Sequence, residues 1–319
     1  MRVKKRKSRK KKWLLISAGI LGLFILVTGS YAFYLFKSAT DTINTIQEDI
    51  GRDKSDKRTD IVDTQKKQPI SVLLMGVDER DGDRGRSDSL IYMTVNPNKK
   101  NIDMVSIPRD TRTEIIGRGK EDKINHAYAF GGTEMAVRTV EHFLDVPVDY
   151  FVKINMESFR DIVNAVGGVE VDNDLEFTYD GETFKKGRIT LNGDSALKYT
   201  RMRYDDSRGD FGRQLRQRQV IEAVIKKGAD ISSIAKFGDM FKVVQDNVTT
   251  NLTFNDMWSI QSNYKEAQNN IVQHQISGSG KKIDRIYYYI VPEEERLALS
   301  DKLKESLEVT PATASFQSN

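Results

Sequence analysis

The sequence predicts an α/β protein, and three observations carry the prediction. Apolar runs of strand length occur at 70–77, 90–95 and 101–107, segments with helical spacing follow them, and strand-like segments return at 150–154 and 285–291. Strands that alternate with helices in this way argue for α/β rather than all-β architecture.

Taken in order, the run 70–77 (ISVLLMGV) is continuously apolar, as a strand buried on both faces must be. The runs 90–95 (LIYMTV) and 101–107 (NIDMVSI) are joined by NPNKK, a turn sequence that predicts a hairpin. Glu134, Val137, Val140, Glu141 and Leu144 recur at helical spacing, and an extended segment follows at 150–154. A helix over 158–166 is stopped by Gly167-Gly168. A strand and hairpin region runs from 169 to about 191, helices are expected at 214–227, 231–250 and 254–266, and the last strand is 285–291. The tail 308–319 is expected to be disordered.

Ahead of this body, residues 13–36 carry no charge, and 24 residues at ~1.5 Å rise make ~36 Å of helix, enough to span a bilayer. The run is too long for the apolar core of a cleaved signal and ends in Tyr31, Phe33, Tyr34 and Phe36, so it reads as an uncleaved anchor. Nine of the first twelve residues are Lys or Arg, which places the N-terminus in the cytoplasm and the remainder outside, a single-pass type II arrangement in the cell membrane. Removing those nine charges from the net +4 leaves −5 for residues 13–319, so the outer part is no general polyanion binder. A twelve-residue tail cannot read nucleic acid, and its basic character suits anionic lipid contact instead. The absence of cysteine excludes disulfides and thiolate metal sites. Residues 37–69 are polar and read as a juxtamembrane linker, so the segment 70–307 must hold itself together by a packed core.

Charge collects at three places where regular structure stops. The first is Asp78, at the end of one strand, and Arg86-Ser87-Asp88, before the next; carboxylates at neighbouring strand ends can converge on a divalent cation, or form a solvated acidic loop. An EF-hand through Asp81 and Asp83 fails, because Gly85 and Tyr92 stand where oxygen ligands are required. The second is Pro108-Arg109-Asp110, which sets Arg109 at a strand's carboxyl end, where open α/β sheets bind ligands; an Arg109–Asp110 surface pair is the plain alternative. The third holds Arg201, Arg203, Arg208, Arg213, Arg216 and Arg218 without one lysine. Guanidinium forks match phosphate oxygens two at a time, which ammonium groups do not. In an extended segment Arg201 and Arg203 share a face, and on a helix Arg213 and Gln217 do. Arg213 falls near a helix N-terminus, where the dipole disfavours a cation unless an anion is bound. Against anion binding stands a surface network in which Asp205, Asp206 and Asp210 neutralise the arginines. His126, His142 and His274 have no carboxylate or second histidine at ligand spacing, and Gly131-Gly132 reads as a tight turn.

Four motifs in this order, the Asp78–Asp88 loop, Ser-Ile-Pro-Arg-Asp ending at Asp110, Tyr-x-Arg-x-Arg ending at Arg203, and Gly209-Asp210-x-x-Arg213-x-x-Arg216-Gln217, resemble the LytR-CpsA-Psr family, most closely its Gram-positive wall teichoic acid transferases. The resemblance runs from residue 70 to the last strand and includes the short tail and single anchor. It implies a mixed central β-sheet sandwiched by helices, with an apolar channel for a polyprenyl chain. It also implies a phosphotransferase that moves an undecaprenyl-pyrophosphate-linked anionic glycopolymer onto peptidoglycan. By the same resemblance Asp78 and Asp88 are Mg²⁺ ligands, Arg86, Arg109, Arg201, Arg203, Arg213 and Gln217 hold the pyrophosphate, and Asp210 orients the arginines. Asp88 and Arg109 are the catalytic candidates, with Asp88 as general base. Alternatives are a polyprenyl-pyrophosphate hydrolase, a membrane-bound transcriptional regulator, which the short cytoplasmic tail does not equip, and a non-catalytic lipid or glycan binding module.

Overall fold

A computed structural model of the chain describes residues 37, 45–79, 85–229 and 248–309. The expected anchor 13–36, the basic tail, the Asp81–Asp83 stretch and residues 310–319 lie outside these. Among the described residues no helix is long and apolar enough to cross a membrane.

β1 (Ile70–Val77), β2 (Ser87–Asn96) and β3 (Asn101–Ile107) form an antiparallel meander with Ile70 opposite Val95 and Leu90 opposite Ile107. A hairpin of β4 (Arg112–Ile115) and β5 (Lys120–Lys123) leads into α1 (His126–Leu144), and β6 (Tyr150–Ile154) returns parallel to β1. α2 (Met156–Ala165) starts at Asn155, whose side chain accepts from the amides of Glu157 and Ser158 in a capping box. It ends before Gly167 and Gly168, both at positive φ, as their sequence requires. Then come β7 (Val169–Asn173), β8 (Phe177–Tyr179), β9 (Glu182–Phe184), β10 (Gly187–Leu191), α3 (Gly193–Arg201) and α4 (Asp210–Ala229). The chain closes with β11 (Val248–Thr250), α5 (Phe254–Asn263), β12 (Ile271–Gln275), the β13 (Ser279–Ile283) and β14 (Ile286–Ile290) hairpin, and α6 (Glu293–Leu307).

The central sheet has the order β11-β6-β1-β2-β3-β12 and is mixed, since β6 and β12 run parallel to their neighbours. Strand alternation sends Leu73, Met75, Tyr92 and Val105 to one face, where they meet Val137, Val140 and Phe143 of α1 and Leu303 of α6. It sends Val72, Ile91, Met93 and Met104 to the other, against Met257 of α5 and Ile221 and Ile225 of α4. A third cluster, with Val163, Val169, Phe177, Phe184, Tyr199 and Val220, joins α2, α3 and α4 to the β7–β10 region. The sheet is therefore covered by helices on both faces, as expected.

Several expectations are corrected. Order begins before residue 69: Ile46 and Ile50 are buried, Arg52 donates to both carboxylate oxygens of Glu141 at 2.6 and 2.9 Å, and Arg58 does the same to Asp149. Of the helix expected at 231–250, residues 248–250 form a strand and 231–247 lie outside the described residues. Arg201 and Arg203 do not share a strand face: Arg201 ends α3, and the chain leaves the helix at Met202. The overlooked signal was Asn192, whose side chain caps α3 by accepting from the Ser195 amide. The histidines do have carboxylate partners, His126 with Asp122 at 3.1 Å, His274 with Asp103 at 2.7 Å and His142 with Glu114 at 3.8 Å. Gly131 and Gly132 kink α1 with non-helical dihedrals.

Candidate active site

The site lies at one end of β1, β2 and β3. Register slips between Gly76 and Val77, so that Gly76 faces Ser89 while Val77 faces Ser87. The odd residue is Asp88, and a bulge of this kind turns a side chain out of its alternation. The amides of Asp78 and Asp88 both donate to the Arg86 carbonyl, at 3.3 and 3.1 Å, which ties the two aspartates to one point of backbone. Gly85 makes this possible. It sits at φ +67, and a Cβ there would lie 2.0 Å from the Asp78 carbonyl oxygen. Gly85→Ala is expected to push residue 85 away from Asp78 and lower turnover about 10²-fold, the effect of misplacing site groups by ~1 Å. The melting temperature should hardly move, because Gly85 lies outside the sheet and the core clusters; unchanged turnover would show that the Asp78–Asp88 spacing is immaterial.

Arg109, placed at the end of β3 by Pro108, donates from Nη1 to Asp88 Oδ1 at 2.9 Å. The plain Arg109–Asp110 pair is only a 4.0 Å approach, because Asp110 is engaged by Lys123 at 2.7 Å. On α4, Arg213 reaches back one turn to Asp210 at 2.6 Å, so the carboxylate that offsets the arginine also sits favourably at the helix N-terminus. Gln217 accepts from Ser89 Oγ at 3.1 Å, linking α4 to β2.

Asp88, Arg201, Arg213 and Gln217 stand around an apolar cavity of about 170 Å³, walled by Leu74, Ile91, Ile154, Phe159 and Ile221. It runs between the sheet and helices α2, α3 and α4. Burial, reinforced by the neighbouring charges of Arg109 and Arg203 against the opposing pull of Asp210 and Asp88, holds the Arg213 pKa below its usual value. Its Nε is buried with no hydrogen-bond acceptor. Arg109 is also pulled down by burial, but Asp88, Asp210 and Asp110 outweigh that and leave it raised. A largely buried guanidinium with an unanswered donor, among other cations, is what an oxyanion would relieve.

The six arginines divide. Arg201, Arg203 and Arg213 belong to the mouth of the cavity or to its field, whereas Arg216 is fully buried and donates to Asp206 at 2.7 Å and to the Met202 carbonyl at 2.6 Å. Arg208 pairs with Asp206 and Asp174, and Arg218 donates to Ser106 and Gln273. Arginines at the cavity and arginines neutralised by carboxylates thus coexist on one stretch of chain. Arg86 is exposed and contributes its carbonyl to the loop. Sequence reasoning assigned no role to Ser89, which directly follows Arg86-Ser87-Asp88, or to the cavity walls, and nothing local marked Leu74, Phe159 or Ile221 as neighbours.

Among the described residues no three His, Asp or Glu side chains gather as a metal site. Magnesium does not require that, since it commonly uses one or two carboxylates, waters and substrate phosphates. Asp78 and Asp88, tied to the same carbonyl beside the arginine mouth, fit that donor set.

A mixed sheet covered by helices thus carries, at one end of its strands, an apolar cavity with Arg201 and Arg213 at its edge. The chain belongs to the LytR_cpsA_psr family, whose model matches residues 33–305. Among its relatives, the polyisoprenyl-teichoic acid–peptidoglycan teichoic acid transferase TagU of Bacillus licheniformis is 62% identical over 307 residues, covering 96% of this chain and 99% of its own. TagU of Bacillus subtilis is 62% identical over 303 residues, 95% of this chain and 98% of its own. The crystal structure of B. subtilis TagU superposes with a TM-score of 0.64 at 61% identity, over 77% of this chain and 100% of that one. TagT bound to LIIa-WTA superposes at 0.70 with 32% identity, over 81% and 98%.

Proposed function

We propose that the chain transfers a polyisoprenyl-linked teichoic acid to peptidoglycan. The observation that carries this is the arginine mouth opening onto an apolar cavity, in a chain 62% identical to TagU transferases along nearly its whole length. An acceptor hydroxyl oxygen bonds to the glycopolymer-side phosphorus of the diphosphate, the bridging P–O bond breaks, and polyprenyl phosphate leaves with both electrons.

Arg109, Arg201, Arg203, Arg213 and Gln217 hold the diphosphate oxygens, and Asp210 aims Arg213 at them. The first isoprene units lie against Leu74, Ile154, Phe159 and Ile221. Asp78 and Asp88 would hold magnesium, which supplies further neutralisation of the diphosphate oxygens. Phosphoryl transfer runs mainly on positioning and charge, so a strong base is not required. Asp88, at the mouth and already oriented by Arg109, is assigned the hydroxyl proton. Residues 13–36 serve as a membrane anchor with the catalytic part outside, and such a tether raises the local concentration of a donor confined to the same bilayer.

The test is to incubate the full chain with a lipid-diphosphate disaccharide, with and without a peptidoglycan glycan fragment. Phosphodiester-linked product should form, and polyprenyl phosphate be released, only when the fragment is present. Release of sugar phosphate at equal rates in both reactions would make the protein a hydrolase.

A further inference from the structure

Next to the apolar cavity, across α3, lies an open groove of about 690 Å³ lined by Arg160 of α2, Tyr179 and Asp180 at the β8–β9 turn, and Asp194 and Lys198 of α3. Leu197 and Arg201 line both spaces, so the groove begins where the cavity's mouth ends. We propose that this groove is a saccharide subsite, which rests on the transfer reading and extends it.

The order of the spaces supplies the first argument. A donor with its lipid in the cavity and its diphosphate at Arg201 and Arg213 presents its next chemical unit, or the sugar that attacks it, to the far side of Arg201. The lining supplies the second. The lining mixes cations, Arg160, Lys198 and Arg201, with carboxylates, Asp180 and Asp194, and Arg160 stands 3.4 Å from Asp194. That is a long, loose pair that a ligand can replace at little cost. A phosphodiester stretch would meet Asp180 and Asp194 as like charges. A neutral sugar, whose hydroxyls and acetamido groups both donate and accept, finds partners in both sets. The Tyr179 ring and Leu197 supply a limited apolar surface, too little for a lipid. Neutral saccharide is the chemistry shared by the donor's first sugars and by the acceptor glycan, and the experiment separates the two.

Arg160→Ala and Asp194→Asn remove partners whose side chains are 41% and 73% exposed, so both variants should fold, with melting curves as the check. Initial rates of transfer are measured in the full chain, varying the lipid-diphosphate disaccharide and the peptidoglycan fragment in turn. We expect KM for one of them to rise about 3–10-fold at unchanged kcat, the worth of one or two hydrogen bonds. A rise for the disaccharide donor, with a sugar-free lipid diphosphate competing equally well against both proteins, assigns the groove to donor sugars. A rise for the glycan fragment assigns it to the acceptor. The effect should persist at about 0.5 M salt, where attraction between exposed charges is screened. Both KM values within twofold of wild type, or an effect that salt abolishes, would overturn the saccharide subsite. If wild type transfers and Arg213→Ala does not, that result removes the groove alone and leaves the transfer reading standing.

Discussion

Arg213→Ala is expected to lower transfer about 10³-fold while the protein stays folded, because in the proposed reaction the lost group stabilises charge on the transferred phosphoryl. That loss corresponds to ~4 kcal/mol of transition-state stabilisation. In the absence of substrate Arg213 is only partly served: it pairs with Asp210 at 2.6 Å, but burial still depresses its pKa, Arg109 and Arg203 push the same way, and its Nε has no acceptor. Such a cation does little for the resting fold and much for a bound anion. The measurement is kcat for acceptor-dependent transfer, beside a denaturant titration. A variant that kept a tenth or more of wild-type turnover would remove Arg213 from the chemistry, and with it the assignment of the mouth to the diphosphate.

Arg216→Ala, three residues further along the same helix, should show the reverse pattern. Its guanidinium is fully buried, pairs with Asp206 at 2.7 Å, donates to the Met202 carbonyl and lies over the Phe177 ring at 5.3 Å. Breaking a buried pair from one side leaves the other charge stranded, which costs roughly 3–5 kcal/mol. The neighbourhood leaves no room to adjust, since a Cβ on Gly212 would sit 2.0 Å from an Asp206 carboxylate oxygen. We therefore expect a large drop in the denaturation midpoint, with residual activity tracking the folded fraction. Burial alone would raise the Asp206 pKa, but hydrogen bonds from Arg208 and Arg216 more than reverse this and hold it well below the usual range. A depressed carboxylate contributes stability that is present above its unfolded pKa of ~3.9 and is lost as pH falls through the folded value. Wild-type stability should thus be level with respect to this group above about pH 5 and fall below about pH 4, and Asp206→Asn should remove that acid limb. A midpoint within experimental error of wild type for Arg216→Ala would refute the structural role.

The contrast between these two arginines marks the limit of what could be read along the chain. Arginine usage without lysine between 199 and 225 pointed to oxyanion recognition, and the helical spacing of Arg213 and Gln217 held. Which guanidinium met solvent and which met Asp206 depended on how α4 packs on α3 and the β7–β10 region. The extended reading of Arg201 and Arg203 failed because an asparagine cap, a short-range signal, outweighed their alternation. His126 and Asp122, four apart, were a pair open to local reading that went unused, whereas His274 and Asp103 come together only through β12 pairing with β3.

By itself the amino-acid order determined the α/β class, the strands 70–77, 101–107 and 150–154, the hairpin between the second and third strands, and the stretches where charge gathers at strand and helix ends. Those are consequences of periodicity and of local steric preference, which act over a few residues. The tertiary structure alone decided that a bulge turns Asp88 toward the mouth, that Arg109 pairs with Asp88 in preference to its neighbour Asp110, and that an apolar cavity opens beneath them. Its walls come from β1, β2, β6, α2, α3 and α4, segments far apart in the chain, and only the packing of helices on the sheet brings such side chains within contact distance.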